Sequence, residues 1–184
     1  MRTRRNFLRA GTAALAAGIA SPALAGTVFR NARSLSFDNL HTGEKLSADY
    51  WVNGRYVPDA LDAINFVLRD FRNNRVHAIE PRLLDLLAGL HGRLGSSAPF
   101  SVISGYRSPE TNEMLHERSA GVASHSLHMQ GMAIDIRVPD RGLGDLHRTA
   151  VSMRAGGVGY YPALDFVHVD VGRVRYWGAA DSSA

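Results

Sequence analysis

The sequence predicts an α+β fold built on a largely antiparallel sheet, and three observations carry that expectation. Segments with a helical apolar period and segments with period-two alternation are interspersed along the chain. They follow no repeating strand-helix-strand rhythm of the kind that builds a parallel sheet, and no internal repeat is present. The chain has 184 residues, 45% hydrophobic and 21% charged, which suits one compact core.

The elements follow in order. Arg33 to Trp51 reads as a hairpin: Ser34-Leu35-Ser36-Phe37 alternates, His41-Thr42-Gly43-Glu44 turns, and Leu46 to Trp51 returns. Asn53-Gly54 signals a second turn. Over Asp59 to Arg72 the period becomes helical, with Leu61, Ile64, Leu68 and Phe71 on one face and Pro58-Asp59 as a start. A second helix spans Pro81 to Leu94, burying Leu83, Leu84, Leu87 and Leu90, and Gly95 ends it. Phe100 to Ser104 reads as a buried strand. Ser108-Pro109 then opens a third helix that runs to about Ala120 and closes at Gly121. Met132 to Val138 is a strand whose apolar face is Ile134, Ile136 and Val138, and whose other face is Ala133, Asp135 and Arg137. A fourth helix is expected over Leu143 to Ala155, with strands over Val158 to Tyr161 and Phe166 to Val171 joined around Pro162.

Charge and composition narrow the function. Arg2, Arg4, Arg5 and Arg9 are four of the 21 basic residues, leaving 17 against 17 acidic groups over residues 26–184. That balance argues against phosphate-backbone binding, which rests on a surplus of Lys and Arg, so no nucleic-acid partner is expected. Cysteine is absent, which excludes disulfides, Cys-ligated zinc and a thiol nucleophile. Thr3 to Arg9 holds twin arginines, Ala10 to Ala20 is weakly apolar, and Ala23-Leu24-Ala25 matches a cleavage site. This leader resembles a twin-arginine export signal cut after Ala25, which implies a periplasmic mature protein of one domain, residues 26–184, without stable membrane insertion.

Two stretches carry chemistry. Ser126-Leu-His128-Met-Gln-Gly131-Met-Ala133-Ile-Asp135 puts an imidazole just before a strand and a carboxylate on it. Asp165-Phe-Val-His168-Val-Asp170 puts a second imidazole on another strand, with Asp170 on the same face. If the strands are neighbours, His128, Asp135 and His168 form a His2Asp site. Three N/O ligands with a fourth position open is the pattern of catalytic zinc. Asp170 is expected as an orienting acceptor for an imidazole N–H, and His125 is assigned to the rim. Asp165, in the turn after Pro162, is expected to lean over the metal. Tyr160 and Tyr161 are candidates for lining a substrate groove, and His41, His77, His91, His116 and His147 are read as structural or solvated. No G-x-S-x-G elbow or phosphate-binding loop occurs, and Gly157-Val-Gly159 lacks the third glycine of a dinucleotide fingerprint.

The pattern S-x-H-x-x-G-x-A-x-D followed by D-x-x-H resembles the zinc D-Ala-D-Ala peptidases, related in site design to lysostaphin-type endopeptidases. Together with Ser104-Gly-Tyr-Arg-Ser-Pro109 and the G-G-V-G-Y-Y and F-V-H-V-D runs, it is most similar to the murein endopeptidase K group. The resemblance implies zinc on His128, Asp135 and His168, Asp165 as general base, and Arg107 as the group that steadies the oxyanion. It implies cleavage of peptide cross-links between peptidoglycan stem peptides, at a D-Ala to diaminopimelate or a diaminopimelate to diaminopimelate bond. The position two residues before Asp165 is Ala163, where some carboxypeptidase relatives carry a further His. The alternatives are a D,D-carboxypeptidase or D-Ala-D-Ala dipeptidase on the same site, and a non-catalytic zinc domain that binds wall polymer.

Overall fold

The computed structural model describes residues 31–119 and 122–178. The expected leader and the helix closure at Ala120 and Gly121 lie outside the described residues. One eight-stranded sheet organises the rest, from β1 (Ala32–Asn39), β2 (Lys45–Val52), β3 (Arg55–Tyr56), β4 (Phe100–Ser104), β5 (Ala133–Arg137), β6 (Gly157–Tyr161), β7 (Phe166–Asp170) and β8 (Arg175–Gly178). Its strand order is β3-β2-β1-β4-β5-β7-β6-β8. The β1–β4 and β6–β8 pairings are parallel and the others antiparallel, so the sheet is mixed but mainly antiparallel.

Helices α1 (Pro58–Val67), α2 (Pro81–Leu94), α3 (Pro109–Arg118) and α4 (Leu143–Met153) complete the α+β fold. On α2, Leu83, Leu84, Leu87 and Leu90 are fully buried and join Leu35, Phe37, Phe100, Ile134 and Ile136 in the core. Gly95 takes the left-handed conformation that ends this helix, with φ 59°. Among the described residues no helix is long and apolar enough to cross a membrane.

The first helix is shorter than its periodicity predicts. It stops at Val67 because Asp70 recruits the backbone: its buried carboxylate accepts the N–H of Arg72 at 3.0 Å and of Ser108 at 2.9 Å. The Asp70 N–H donates to Arg75 O at 3.0 Å, which folds residues 70–75 into a tight loop. Phe71 therefore leaves the helical face and stacks on His41, ring centroids 3.9 Å apart. This loop clamps the segment after β4. Tyr106 N–H donates to Leu68 O at 2.8 Å, and a Cβ on Gly105 would stand 2.4 Å from the same oxygen. The close approach sets the backbone course of Arg107.

Two short edge strands, β3 and β8, are additions to the strands expected from the sequence. β8 becomes important below, because it closes the sheet beside β6 and supplies Arg175 and Trp177.

Candidate active site

The three expected ligands come from different elements and converge. His128 lies on a 3₁₀ turn, Leu127–Gln130, with its N–H on Ser126 Oγ at 3.4 Å. Gly131, at φ 64°, ends that turn where a Cβ would stand 2.2 Å from Ala78 O, so the chain can pass only as glycine into β5. Asp135 on β5 and His168 on β7 are directly paired in an antiparallel ladder. Both side chains leave the sheet on the face opposite the Ile134 and Ile136 core contacts.

Three contacts define the centre: His168 Nδ1 to Asp135 Oδ1 at 2.9 Å, His128 Nε2 to His168 Nδ1 at 3.2 Å, and His128 Nε2 to Asp135 Oδ1 at 3.3 Å. The outer hydrogen bonds decide which ring atoms face inward. His128 Nδ1 lies 2.7 Å from Gly105 O, a group that only accepts, so Nδ1 carries the proton and Nε2 presents its lone pair. His168 Nε2 lies 3.1 Å from Asp170 Oδ2 and donates to it, leaving Nδ1 toward the centre. With both inward nitrogens free of protons, two lone pairs and a carboxylate oxygen are offered to one point. A cation satisfies that set, and the residues fit a metal site.

The charges of the three side chains depend on one another. Burial works to raise the Asp135 carboxyl, but His128 and His168 outweigh it and hold the group well below the usual carboxylate range. Burial likewise lowers His168, yet its bonds to Asp135 and Asp170 prevail and lift it to about 8. Asp170 has no exposed surface, and although burial opposes its charge, His168 and Arg175 keep it ionised, well below its ordinary value.

The centre opens into a cleft of about 360 Å³, whose walls include Arg107, His125, Tyr161, Leu164, Phe166 and Trp177. Arg107 is tied to the centre by its backbone, which donates to His128 O at 3.2 Å. Its guanidinium has few partners: Nη1 reaches Asn112 Oδ1 at 3.4 Å, Nη2 stands 3.9 Å from Asp135 Oδ2, and buried Nε has no hydrogen-bond partner. Glu110, on the helix that follows, pairs with Arg75 and not with Arg107. Burial pushes the Arg107 pKa down, with the nearby Asp135 carboxylate opposing it.

A model of one family, peptidoglycan L,D-endopeptidase MepK (Peptidase_M15_2), matches residues 27–177. The chain belongs to this peptidase family. It is 43% identical over 175 residues to peptidoglycan L,D-endopeptidase MepK of Escherichia coli K12, covering 95% of this chain and 96% of the relative. The Shigella flexneri protein of the same name matches equally. A Haemophilus influenzae relative named probable peptidoglycan L,D-endopeptidase MepK is 39% identical over 176 residues, 95% of each chain.

Within this family member the remaining expected residues divide. Asp165 does sit in the turn after Pro162, capping a 3₁₀ segment at φ 55°, but its side chain does not lean over the centre. It is largely exposed and ion-paired with Arg137, two residues along β5 from Asp135. The tyrosines part because strand residues alternate. Tyr161 faces the cleft, accepts a hydrogen bond from Trp177 Nε1 at 2.7 Å and stacks on Phe166, centroids 4.6 Å apart. Tyr160 points the other way, is buried and stacks on His147 at 4.5 Å, so its groove assignment is corrected to core packing. His125 does line the cleft. Arg175 is a wall residue the sequence reading missed, and Trp177, with its ring centroid 5.1 Å from that of His168, lines the cleft beside it. The alternation of Arg175, Trp177 and their neighbours was the available signal.

Proposed function

We propose that this chain is a zinc-dependent peptidoglycan L,D-endopeptidase, exported after removal of residues 1–25 and acting in the periplasm on cross-links between stem peptides. The observation that carries the metal reading is the convergence of one ligand atom each from His128, Asp135 and His168 at the base of a cleft. The edges of this triangle, 2.9, 3.2 and 3.3 Å, suit a small tetrahedral ion, since ligands ~2.0 Å from zinc stand about 3.3 Å apart. The L,D designation of the relatives favours the diaminopimelate to diaminopimelate bridge, which joins an L to a D centre, over the D-Ala to diaminopimelate bond, which joins two D centres.

Zinc supplies Lewis acidity at such a three-ligand site, polarising a carbonyl and lowering the pKa of water. The chain's own groups do the rest. Arg107 offers always-charged, loosely paired donors from a largely buried position in the cleft wall, where negative charge develops on the scissile carbonyl oxygen. Asp170 holds the His168 ring so that it cannot turn its protonated nitrogen inward. Tyr161, Phe166 and Trp177 form an aromatic wall against which a stem peptide is laid. Asp165 is our proposed proton acceptor, reached by exchanging its exposed pair with Arg137, a contact of a kind worth little in water.

That last assignment has a direct check. If Asp165 accepts the proton, Asp165→Ala lowers turnover by about 10²-fold or more while zinc content stays at one per chain. If its role is only the surface pair with Arg137, turnover stays within a few-fold and the assignment falls.

The activity itself is tested on purified sacculi, with muropeptides separated before and after digestion. Cross-linked dimers are expected to fall and monomers to rise, an effect removed by chelation and restored by zinc. Shortened stems with dimers intact would mean a carboxypeptidase, and an unchanged profile a wall-binding module.

A further inference from the structure

The Gly157-Val158-Gly159 run, which failed as a nucleotide-binding motif, has a different use in the sheet. Strand β6 lies between β7 and β8. Gly159 is paired with His168 on one side and Trp177 on the other, and Gly157 is paired with Arg175. On the face that carries the metal centre, β6 therefore presents no side chain at either glycine. A Cβ on Gly159 would stand 2.6 Å from the Trp177 ring, and one on Gly157 would stand 2.4 Å from both Arg175 Nη1 and Asp170 Oδ2. Side chains of β8 pass over β6 through this gap and reach β7.

What Arg175 grips there is the carboxylate that holds a candidate ligand. Its Nη2 donates to Asp170 Oδ2 at 2.7 Å and its Nη1 to Oδ1 at 3.1 Å, a two-point fork. Backbone N–H groups of Gly157 and Gly172 add bonds to Oδ1 at 3.0 and 2.8 Å. With four donors fixing it, Asp170 keeps one lone pair of Oδ2 for His168 Nε2 at 3.1 Å. The guanidinium also lies over Trp177, 4.8 Å from its ring centroid, which limits its freedom to swing away.

We propose that Arg175 is a positioning residue for the metal centre: reaching across Gly157, it locks Asp170, and Asp170 presents His168 to the ion through Nδ1 alone. The chain of contacts runs β8 to β7 over a glycine gap in β6. This inference rests on the metal reading of His128, Asp135 and His168 and goes beyond it, because Arg175 is not among the candidate ligands and acts through Asp170.

The test compares zinc affinity of the full chain, by competition with a chromophoric chelator, across wild type, Arg175→Gln, Arg175→Lys and Gly157→Ala. Arg175→Gln is expected to weaken zinc binding several-fold up to about 10-fold, the low end of the range for loss of a ligand's outer partner, because Asp170 itself remains. Gly157→Ala is expected to weaken it comparably, because its methyl displaces the fork. Arg175→Lys, which keeps charge but not two-point geometry, is expected to recover part of the loss. The cobalt-loaded forms provide a readout that a purely structural role would not move: the visible absorption bands of the Gln variant should shift as His168 loses its fixed orientation. Should Arg175→Gln not fold, Arg175→Lys decides, since a several-fold loss with altered cobalt bands supports the inference and wild-type values overturn it. Wild-type affinity and spectra in both Arg175 variants also overturn it while leaving the metal site intact. If the wild-type chain takes up no stoichiometric zinc, the metal reading itself fails.

Discussion

Replacing Asp135 with alanine is expected to abolish metal uptake and hydrolysis together. Asp135 Oδ1 is the one anionic corner of the triangle, 2.9 Å from His168 Nδ1 and 3.3 Å from His128 Nε2. Its removal leaves two imidazole lone pairs facing each other at 3.2 Å with no anionic ligand to hold a divalent ion. Elemental analysis should fall from one metal per chain to near none, and sacculus digestion should fall to the level of chelated enzyme. Stoichiometric metal in Asp135→Ala would remove this residue from the ligand set. The same geometry sets a pH dependence. In the metal-free chain Asp135 and Asp170 lift His168 to about 8, so below that pH an incoming ion must displace a proton from the ligand. Apparent metal affinity should therefore fall as pH drops through 8 and below, by about tenfold per pH unit for one proton, and level off above it. A flat profile between pH 6 and 8 would contradict the contacts assigned to His168.

Arg107→Met should lower kcat by about 10²- to 10³-fold, the usual loss when one preorganised donor to an oxyanion is deleted, with zinc content and KM little changed. The argument is the state of the guanidinium. Arg107 is mostly buried, its Nε has no partner, and its other contacts run to 3.4 and 3.9 Å. A buried donor without an acceptor is costly, and such groups persist where a ligand completes them. Arg107→Lys should restore only part of the rate, because a point charge on a flexible stem does not reproduce the planar fork. A Met variant within a few-fold of wild type in kcat would show that the oxyanion is met elsewhere. An increase confined to KM would recast Arg107 as a substrate-binding group.

The pairing of local pattern with chemistry explains what could be read ahead of the structure. The Pro81 to Leu94 helix and the strands holding Asp135 and His168 are local amphipathic patterns, and they fold where their periods place them. The Asp59 to Arg72 helix did not, because the buried Asp70 carboxylate drew the backbone N–H groups of Arg72 and Ser108 to itself, and a hydrogen bond 38 residues distant leaves no mark on a helical period. Asp165 was placed correctly along the chain, but its direction was set by Arg137 across the strand interface.

The residue types and spacing of His128, Asp135 and His168, the absence of thiol chemistry, and the α+β class were determined by the sequence alone, because each depends on composition or on neighbours a few positions apart. Only the tertiary structure decided that β5 and β7 are adjacent and in the register that pairs Asp135 with His168. It also decided that Tyr160 faces the core while Tyr161 faces the cleft, and that β8 reaches the centre over two glycines of β6. The reason is physical: a strand's period of two says which residues share a face, but which strand lies alongside, and at what offset, is settled by packing of the whole sheet.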